Sequence, residues 1–353
     1  MKYMNNGHAF LQSCVDQYVI PGAQFAIVTK DDALFDYLGC SQIIPEPRAV
    51  TEDTIYDLAS LTKAVCTTTL ALQLIEQGLI YLQMPVCQIL DDFPWQQVTV
   101  GQLLTHTSGM REDDKNYKDH RGKEDMYKFL ISLPLDHNPG SAVEYSDFGF
   151  IVLGRIIEKI AGCSLDEYGE QKIFGPLGMK HTCFNPKLHG LAGFCAATEE
   201  EDGRGIICGE VHDGKAWRMG GVSGHAGLFS DVYDLISFVQ MMLNDGEREG
   251  VRILSPASIR LLKQYRTTGM QENRTIGWFA QDLIHASCGD FTSSLSLYHT
   301  GFTGTSVYID FEREMGIILL VNAVHPHRVS GKMIPVRNRF HNIILSEYDK
   351  ELL

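Results

Sequence analysis

Three short stretches of this 353-residue chain hold residue types that can do nucleophilic chemistry. The first is Ser60-Leu61-Thr62-Lys63, a hydroxyl and an amine three positions apart. A serine hydroxyl is a weak nucleophile until a neighbouring base takes its proton. At the start of a helix, positions three apart share a face, so the amine reaches the hydroxyl. The positive end of the helix dipole favours negative charge on the reacting oxygen. A buried Lys63 would shed its proton readily enough to be the base. The alternative is a capping Ser60 and a surface Lys63, and S-x-x-K arises by chance about once in a chain of this length. The second stretch is Tyr145-Ser146-Asp147. A phenol near an ammonium can shuttle protons; equally, Ser146 or Asp147 would cap the next helix and Tyr145 would pack in a loop. The third is His299-Thr300-Gly301, inside a strand pattern. Glycine in a strand marks close approach of a backbone or ligand, and His299 could supply a donor or positive charge. Alone, the tripeptide reads as an edge histidine beside a glycine that weakens its strand.

Other reactive types have plainer readings. His106 in LLTHTSGM orders a loop. His212, Asp213, His225, His325 and His327 lack H-E-x-x-H or any comparable spacing, so they read as loop hydrogen bonders and no metal is implied. GVSGH (221–225) is only superficially like a G-x-S-x-G elbow, since His225 fills the fifth place and no strand-then-helix pattern surrounds it. No cysteine sits with a paired base, and Cys66 reads as core.

These stretches must be positioned by regular elements. Residues 5–19 read as a helix. QFAIVTK (24–30) and ALFDYLGC (33–40), separated by Asp31-Asp32, read as a hairpin. Residues 64–77 are rich in helix formers and apolar nearly all round, the mark of a buried helix, with Gly78 to end it. One-face patterns mark helices over 148–161 and 231–243, and Ser255-Pro256 starts another. Between them, the charged stretch 111–125 reads as a solvated loop and the Gly-rich 201–227 as an ordered loop. SLSLYHTG (294–301), GTSVYID (304–310) and GIILLVNAV (316–324) read as successive strands, followed by a helix over about 331–347. Strands at both ends joined by short turns imply one antiparallel sheet. The expected architecture is α/β (α+β), with a sheet domain from 1–62 and 265–353 and a mostly helical insertion over 63–264.

Composition bounds the function. The chain is 44% hydrophobic and 21% charged, with a net charge of −14 that argues against nucleic acid and other polyanions. No apolar run approaches the roughly 18 residues of a membrane span, and MKYMNNGHAFLQSC lacks a signal-like apolar block. Nine scattered cysteines, an odd number with no C-x-x-C pair, fit a reducing compartment, and a cytoplasmic setting is expected.

Taken together, the three stretches resemble, in order, the S-x-x-K, Tyr-x-Asn and Lys/His-Thr-Gly signatures of the serine β-lactamase and penicillin-binding-protein superfamily, in the tyrosine form of its class C branch and esterase relatives. DLASLTK (57–63), LLTHTSGM (103–110), EYSDFGFIVLG (144–154), GHAGLFS (224–230) and HTGFTGTSVYID (299–310) are similar as well, so the resemblance covers roughly 20–324. It implies a β-lactamase/transpeptidase-like fold and an acyl-enzyme on Ser60. Lys63 and Tyr145 would move the proton, and the N–H groups of Ser60 and Phe302 would stabilise the oxyanion. His299, Thr300, Gly301 and Asp147 would border the substrate, with no cofactor. Two departures matter. Asp147 replaces an amide with an acceptor-only carboxylate, and His299 replaces the commoner lysine. Both disfavour efficient β-lactam hydrolysis and leave room for esters, amides or D-residue peptides as small-molecule or short-peptide substrates. A D-alanyl carboxypeptidase or β-lactamase is the enzymatic alternative, and a binding protein without turnover the non-enzymatic one. Intact Ser60, Lys63 and Tyr145 argue against the latter. The oligomeric state is left open.

Overall fold

The computed structural model describes residues 1–282, 287–329 and 331–351. Its centre is a seven-stranded antiparallel sheet, here β1 (Gly22–Thr29), β2 (Ala33–Gln42), β3 (Arg48–Ala49), β4 (Phe279–Ala280), β5 (Ser296–Thr300), β6 (Ser306–Asp310) and β7 (Met315–Val321). Their spatial order is β4-β5-β6-β7-β1-β2-β3. The closing pair β7–β1 joins the two ends of the sequence, with Ala23 opposite Val321 and Thr29 opposite Met315. The Asp31-Asp32 hairpin forms as its turn residues require, pairing Val28 with Ala33.

Both faces of the sheet are covered, so β1 and β7 are buried almost throughout rather than alternating. One face carries α1 (Lys2–Asp16) and α5 (Met333–Glu351), packed on each other and, through Phe10, Leu11, Phe340 and Ile344, on Phe25 and Leu319. The other face meets α4 (Val232–Leu243), whose Leu235, Phe238 and Val239 join Ala26, Val28 and Ile318 in the largest core cluster. That cluster continues into α2 (61–76) and α3 (Asp147–Ala161). Lys63–Thr68, the first turns of α2, are π-wound. The Thr68 hydroxyl donates to Lys63 O at 2.7 Å, serving a carbonyl within the widened turn. No helix among the described residues is long and apolar enough to cross a membrane.

Two stretches differ from the expectation. The charged 111–125 is more than a solvated loop: Arg111 pairs with Asp114 and Asp136, a short 3-10 turn covers Lys115–Asp119, and Ser146 Oγ donates to Arg111 O. The stretch stays solvent-facing, with no fully buried residue, but its charges pair both within it and with Asp136, Glu158, Arg155 and Lys215 outside it. The Gly-rich 201–227 includes a hairpin strand (Gly205–Cys208) and a short helix (Gly214–Arg218), and it turns toward the interior.

Candidate active site

The segment before Ser60 is held on both sides. Tyr56–Asp57 pairs with Leu228–Ser230. The buried Asp57 accepts the Ala59 N–H at 2.8 Å and the His212 N–H at 2.7 Å. Burial pushes its carboxyl upward, and those N–H groups offset only part of that. Ala59 is bent to φ +47°, a costly conformation for a residue with a Cβ. From the other side, Thr303 Oγ1 donates to Asp57 O at 2.7 Å and Thr305 Oγ1 to Leu58 O at 3.2 Å. Gly301 lies in this seam: a Cβ there would stand 2.4 Å from Leu58 O and 2.2 Å from Thr305 Oγ1. Only glycine allows the end of β5 to lie so close to the Ser60 segment. The N–H groups of Ser60 and Phe302 have no acceptor among the described residues.

Lys63, one helical turn on, is fully buried. Its Nζ donates to Ser60 Oγ at 2.9 Å, to the His225 carbonyl at 3.1 Å and to Asp147 Oδ1 at 2.8 Å. Tyr145 also lies beside it, its ring centroid 4.8 Å from Nζ. Burial pulls the ammonium toward neutrality, but Asp147 and Tyr145 outweigh it and Lys63 is held above its ordinary value. This corrects the expectation that burial frees the amine: the three donors of a resting ammonium are all engaged.

Helix α3 starts where Ser146 Oγ accepts the Gly149 N–H at 3.0 Å, so Ser146, not Asp147, is the cap. That leaves Asp147 pointing at Lys63. His106 orders the stretch, as its loop reading requires. It stacks on Tyr145 at 4.6 Å, and its Nδ1 accepts the Ser146 N–H at 2.9 Å. Burial, with Arg274 and Lys63 nearby, holds His106 well below its ordinary value, consistent with an accepting nitrogen.

The third stretch divides. Thr300, Gly301 and Phe302 line a cleft of about 420 Å³ with Ser60 and Tyr145. His299 is not on its wall. It is fully buried against Phe279, Trp278 and Tyr145, with Nδ1 3.0 Å from Thr300 O. Burial, Lys63 and Arg274 hold it well below its ordinary value, so it is neutral. The charge expected of it is therefore missing there.

A second cleft of about 750 Å³ also opens on Ser60, Tyr145 and Phe302, lined by Asp113, Tyr117, Asp147, Lys215 and Trp217. The exposed Phe302 ring divides the two, stacked on His212 at 5.7 Å.

Sequence reasoning missed three contributors. The 224–225 turn supplies the His225 carbonyl, because Gly224 lets the turn press on α3 where a Cβ would stand 2.1 Å from Phe150 O. Lys215 places Nζ 3.0 Å from Asp147 Oδ2. Arg337, 6% exposed on α5, donates to Gly301 O at 3.3 Å and lines the smaller cleft. None has a distinguishing spacing; all three are brought in by tertiary packing. Three of the loop histidines are hydrogen bonders: His225 joins Ser223 Oγ to Asp213 (2.8 Å each), His212 meets Glu199 at 2.9 Å, and His325 bonds Ile43 N–H and Thr198 O. Ser223 is thereby buried and engaged, unlike an elbow nucleophile. Asp147, Asp213 and His225 converge closely enough to suit a metal, as do Glu199, Glu201 and His212. Both Asp147 oxygens already face ammonium groups and Glu199 faces Arg328, so these clusters are accounted for as ion pairs.

The chain resembles known proteins over nearly its whole length. The Beta-lactamase family profile matches residues 8–338. A Salmonella agona protein, provisionally named a D-alanyl-D-alanine carboxypeptidase, is 33% identical over 329 residues, spanning 84% of this chain and 75% of that one. Two solved structures share the fold. The octameric penicillin-binding protein homologue from Pyrococcus abyssi has a TM-score of 0.75 at 21% identity, covering 99% of this chain and 77% of that one. Unliganded simvastatin synthase (LovD) from Aspergillus terreus has a TM-score of 0.77 at 18% identity, covering 99% and 100%. With the profile spanning nearly all of the sequence and a relative one-third identical over most of it, the chain belongs to the beta-lactamase family.

Proposed function

We infer that this serine hydrolase of the beta-lactamase-related type transfers the acyl group of an ester or amide to Ser60 and then to water. The observation that carries this is the 2.9 Å contact between Ser60 Oγ and Lys63 Nζ, beside two N–H groups without acceptors among the described residues. Lys63, once its resting proton has passed to solvent, takes the Ser60 proton as the Oγ–C bond forms. Tyr145, in contact with the same amine, relays that proton to the leaving group. The N–H groups of Ser60 and Phe302 receive the oxyanion, the kind of preorganised donor pair that contributes most to such steps. Intact-mass spectrometry after incubation with a p-nitrophenyl ester, a penicillin and a D-Ala-D-Ala peptide tests the reading. A transient adduct of acyl mass with at least one is expected; no adduct with any of them refutes it.

A second reading, a carboxypeptidase for short peptides, is favoured by Arg337. This buried guanidinium has an unpartnered Nε and no carboxylate within ion-pair distance among the described residues. A buried cation without a counter-charge is costly, and the terminal carboxylate of a peptide in the smaller cleft would supply one. The curated relatives' provisional name agrees with this. Arg337→Met is expected to lower kcat/KM for a D-Ala-D-Ala acid by about 30-fold, the worth of a charged hydrogen bond. Turnover of a neutral p-nitrophenyl ester should change less than about threefold. Equal losses for both substrates would remove Arg337 from substrate binding. The scattered, odd-numbered cysteines support a cytoplasmic setting, which favours a small molecule or wall fragment over mature cell wall.

A further inference from the structure

Lys215 lies outside every motif, yet it is buried as deeply as a core residue. Its side chain is 7% exposed and its Nζ stands 3.0 Å from Asp147 Oδ2, 3.2 Å from Asp113 Oδ1 and 3.9 Å from Asp213 Oδ2, over the Tyr117 ring at 5.2 Å. Asp147 therefore bridges two ammonium groups, Lys63 on one oxygen and Lys215 on the other. Unopposed, a carboxylate 2.8 Å from Lys63 would keep that group charged and useless as a base.

We propose that Lys215 is a positioning residue for acylation: it holds the outer oxygen of Asp147, fixes the inner one on Lys63, and offsets the carboxylate's charge so that Lys63 can release its resting proton. The inference rests on the proposed role of Ser60 and Lys63. The proton balance is simple. The Lys63 ammonium loses one proton to solvent, and the neutral amine accepts the Ser60 proton as Oγ bonds to the electrophile. The groups facing Lys63 are Asp147, Tyr145 and Ser60, with His106 and His299 interacting as neutral rings. Those facing Lys215 are Asp147, Asp113, Asp213, Tyr117 and, further off, Glu112. Burial lowers Lys215, but its carboxylate neighbours outweigh this and hold it above its ordinary value, so it stays a cation beside Asp147. Burial raises Asp147, and Lys63 and Lys215 together more than reverse this, so it stays ionised.

Removing a cation beside Lys63 tightens its hold on the proton. The pH dependence of Ser60 labelling by a fluorophosphonate should rise with pH as Lys63 becomes neutral. In Lys215→Met that rise should move to higher pH by about one unit or more, a tenfold slower labelling at a fixed pH below it. Lys215→Gln, which keeps a donor for Asp147 but no charge, should shift the same way should the methionine variant fold poorly. Lys215→Arg should leave the rise within about 0.3 unit of wild type. Asp147→Asn should move it to lower pH, and in that background Lys215→Met should shift it by less than half as much. An unmoved rise in both neutral variants overturns the proposal, as does a shift of full size in the Asp147→Asn background. Absence of Ser60-dependent labelling in the wild type would instead refute the acyl-enzyme reading itself.

Discussion

Ser60→Ala should abolish covalent labelling by a fluorophosphonate and lower turnover of any ester substrate by about a thousandfold or more. The fold should survive, because among the described residues the Ser60 side chain has one polar contact, Lys63 Nζ, which keeps Asp147 and the His225 carbonyl. A thermal midpoint within about 2 °C of wild type would show this. Competent binding without chemistry would then separate loss of the nucleophile from loss of the site. Labelling of the folded variant at the wild-type rate would take Ser60 out of the role.

Gly301→Ala should damage the site nearly as much by a different route. The added methyl would meet Leu58 O at 2.4 Å and Thr305 Oγ1 at 2.2 Å, so β5 and the Ser60 segment must part. Parting them widens the gap between the N–H groups of Ser60 and Phe302, whose value depends on donors placed within about 3 Å of the oxyanion. A fall in kcat of about a hundredfold is expected, with a destabilisation of about 1–3 kcal/mol from overpacking. Gly316→Ala is the control. Its methyl would meet Val239 Cγ1 at 2.4 Å, under α4 and away from the clefts. It should cost similar stability and leave kcat within about threefold. If both variants lose activity in parallel, the effect is on folding and not on oxyanion geometry.

Much of the frame was legible because burial leaves a periodic trace. The one-face patterns of 148–161 and 231–243 became α3 and α4, and the Asp31-Asp32 break became the hairpin of β1 and β2. The all-round apolar character of 64–77 marked a buried helix, yet nothing in it announces the π-wound turns of Lys63–Thr68, since that winding adds one residue without altering composition. The convergence of Ser60, Lys63, Tyr145 and Asp147 follows from motifs whose order carries the information. What the motifs do not hold is the outer ring of charge. Lys215 sits in a stretch that reads as a Gly-rich loop, and Arg337 in a final helix that carries no motif. His299 went the other way, because the alternation of a strand gives the face a side chain takes but not whether aromatic rings close over it.

The ring of Phe302 stands between two chambers that share Ser60, Tyr145, Glu112 and Arg328 in their walls, so Ser60 Oγ is reachable from both. An inhibitor need not fill either chamber well. Two weak fragments, one seated beside Arg337 and the other beside Trp217, could be joined through a warhead that bonds the oxygen lying between them. The tether would raise each fragment's local concentration for the other, and their modest affinities would multiply.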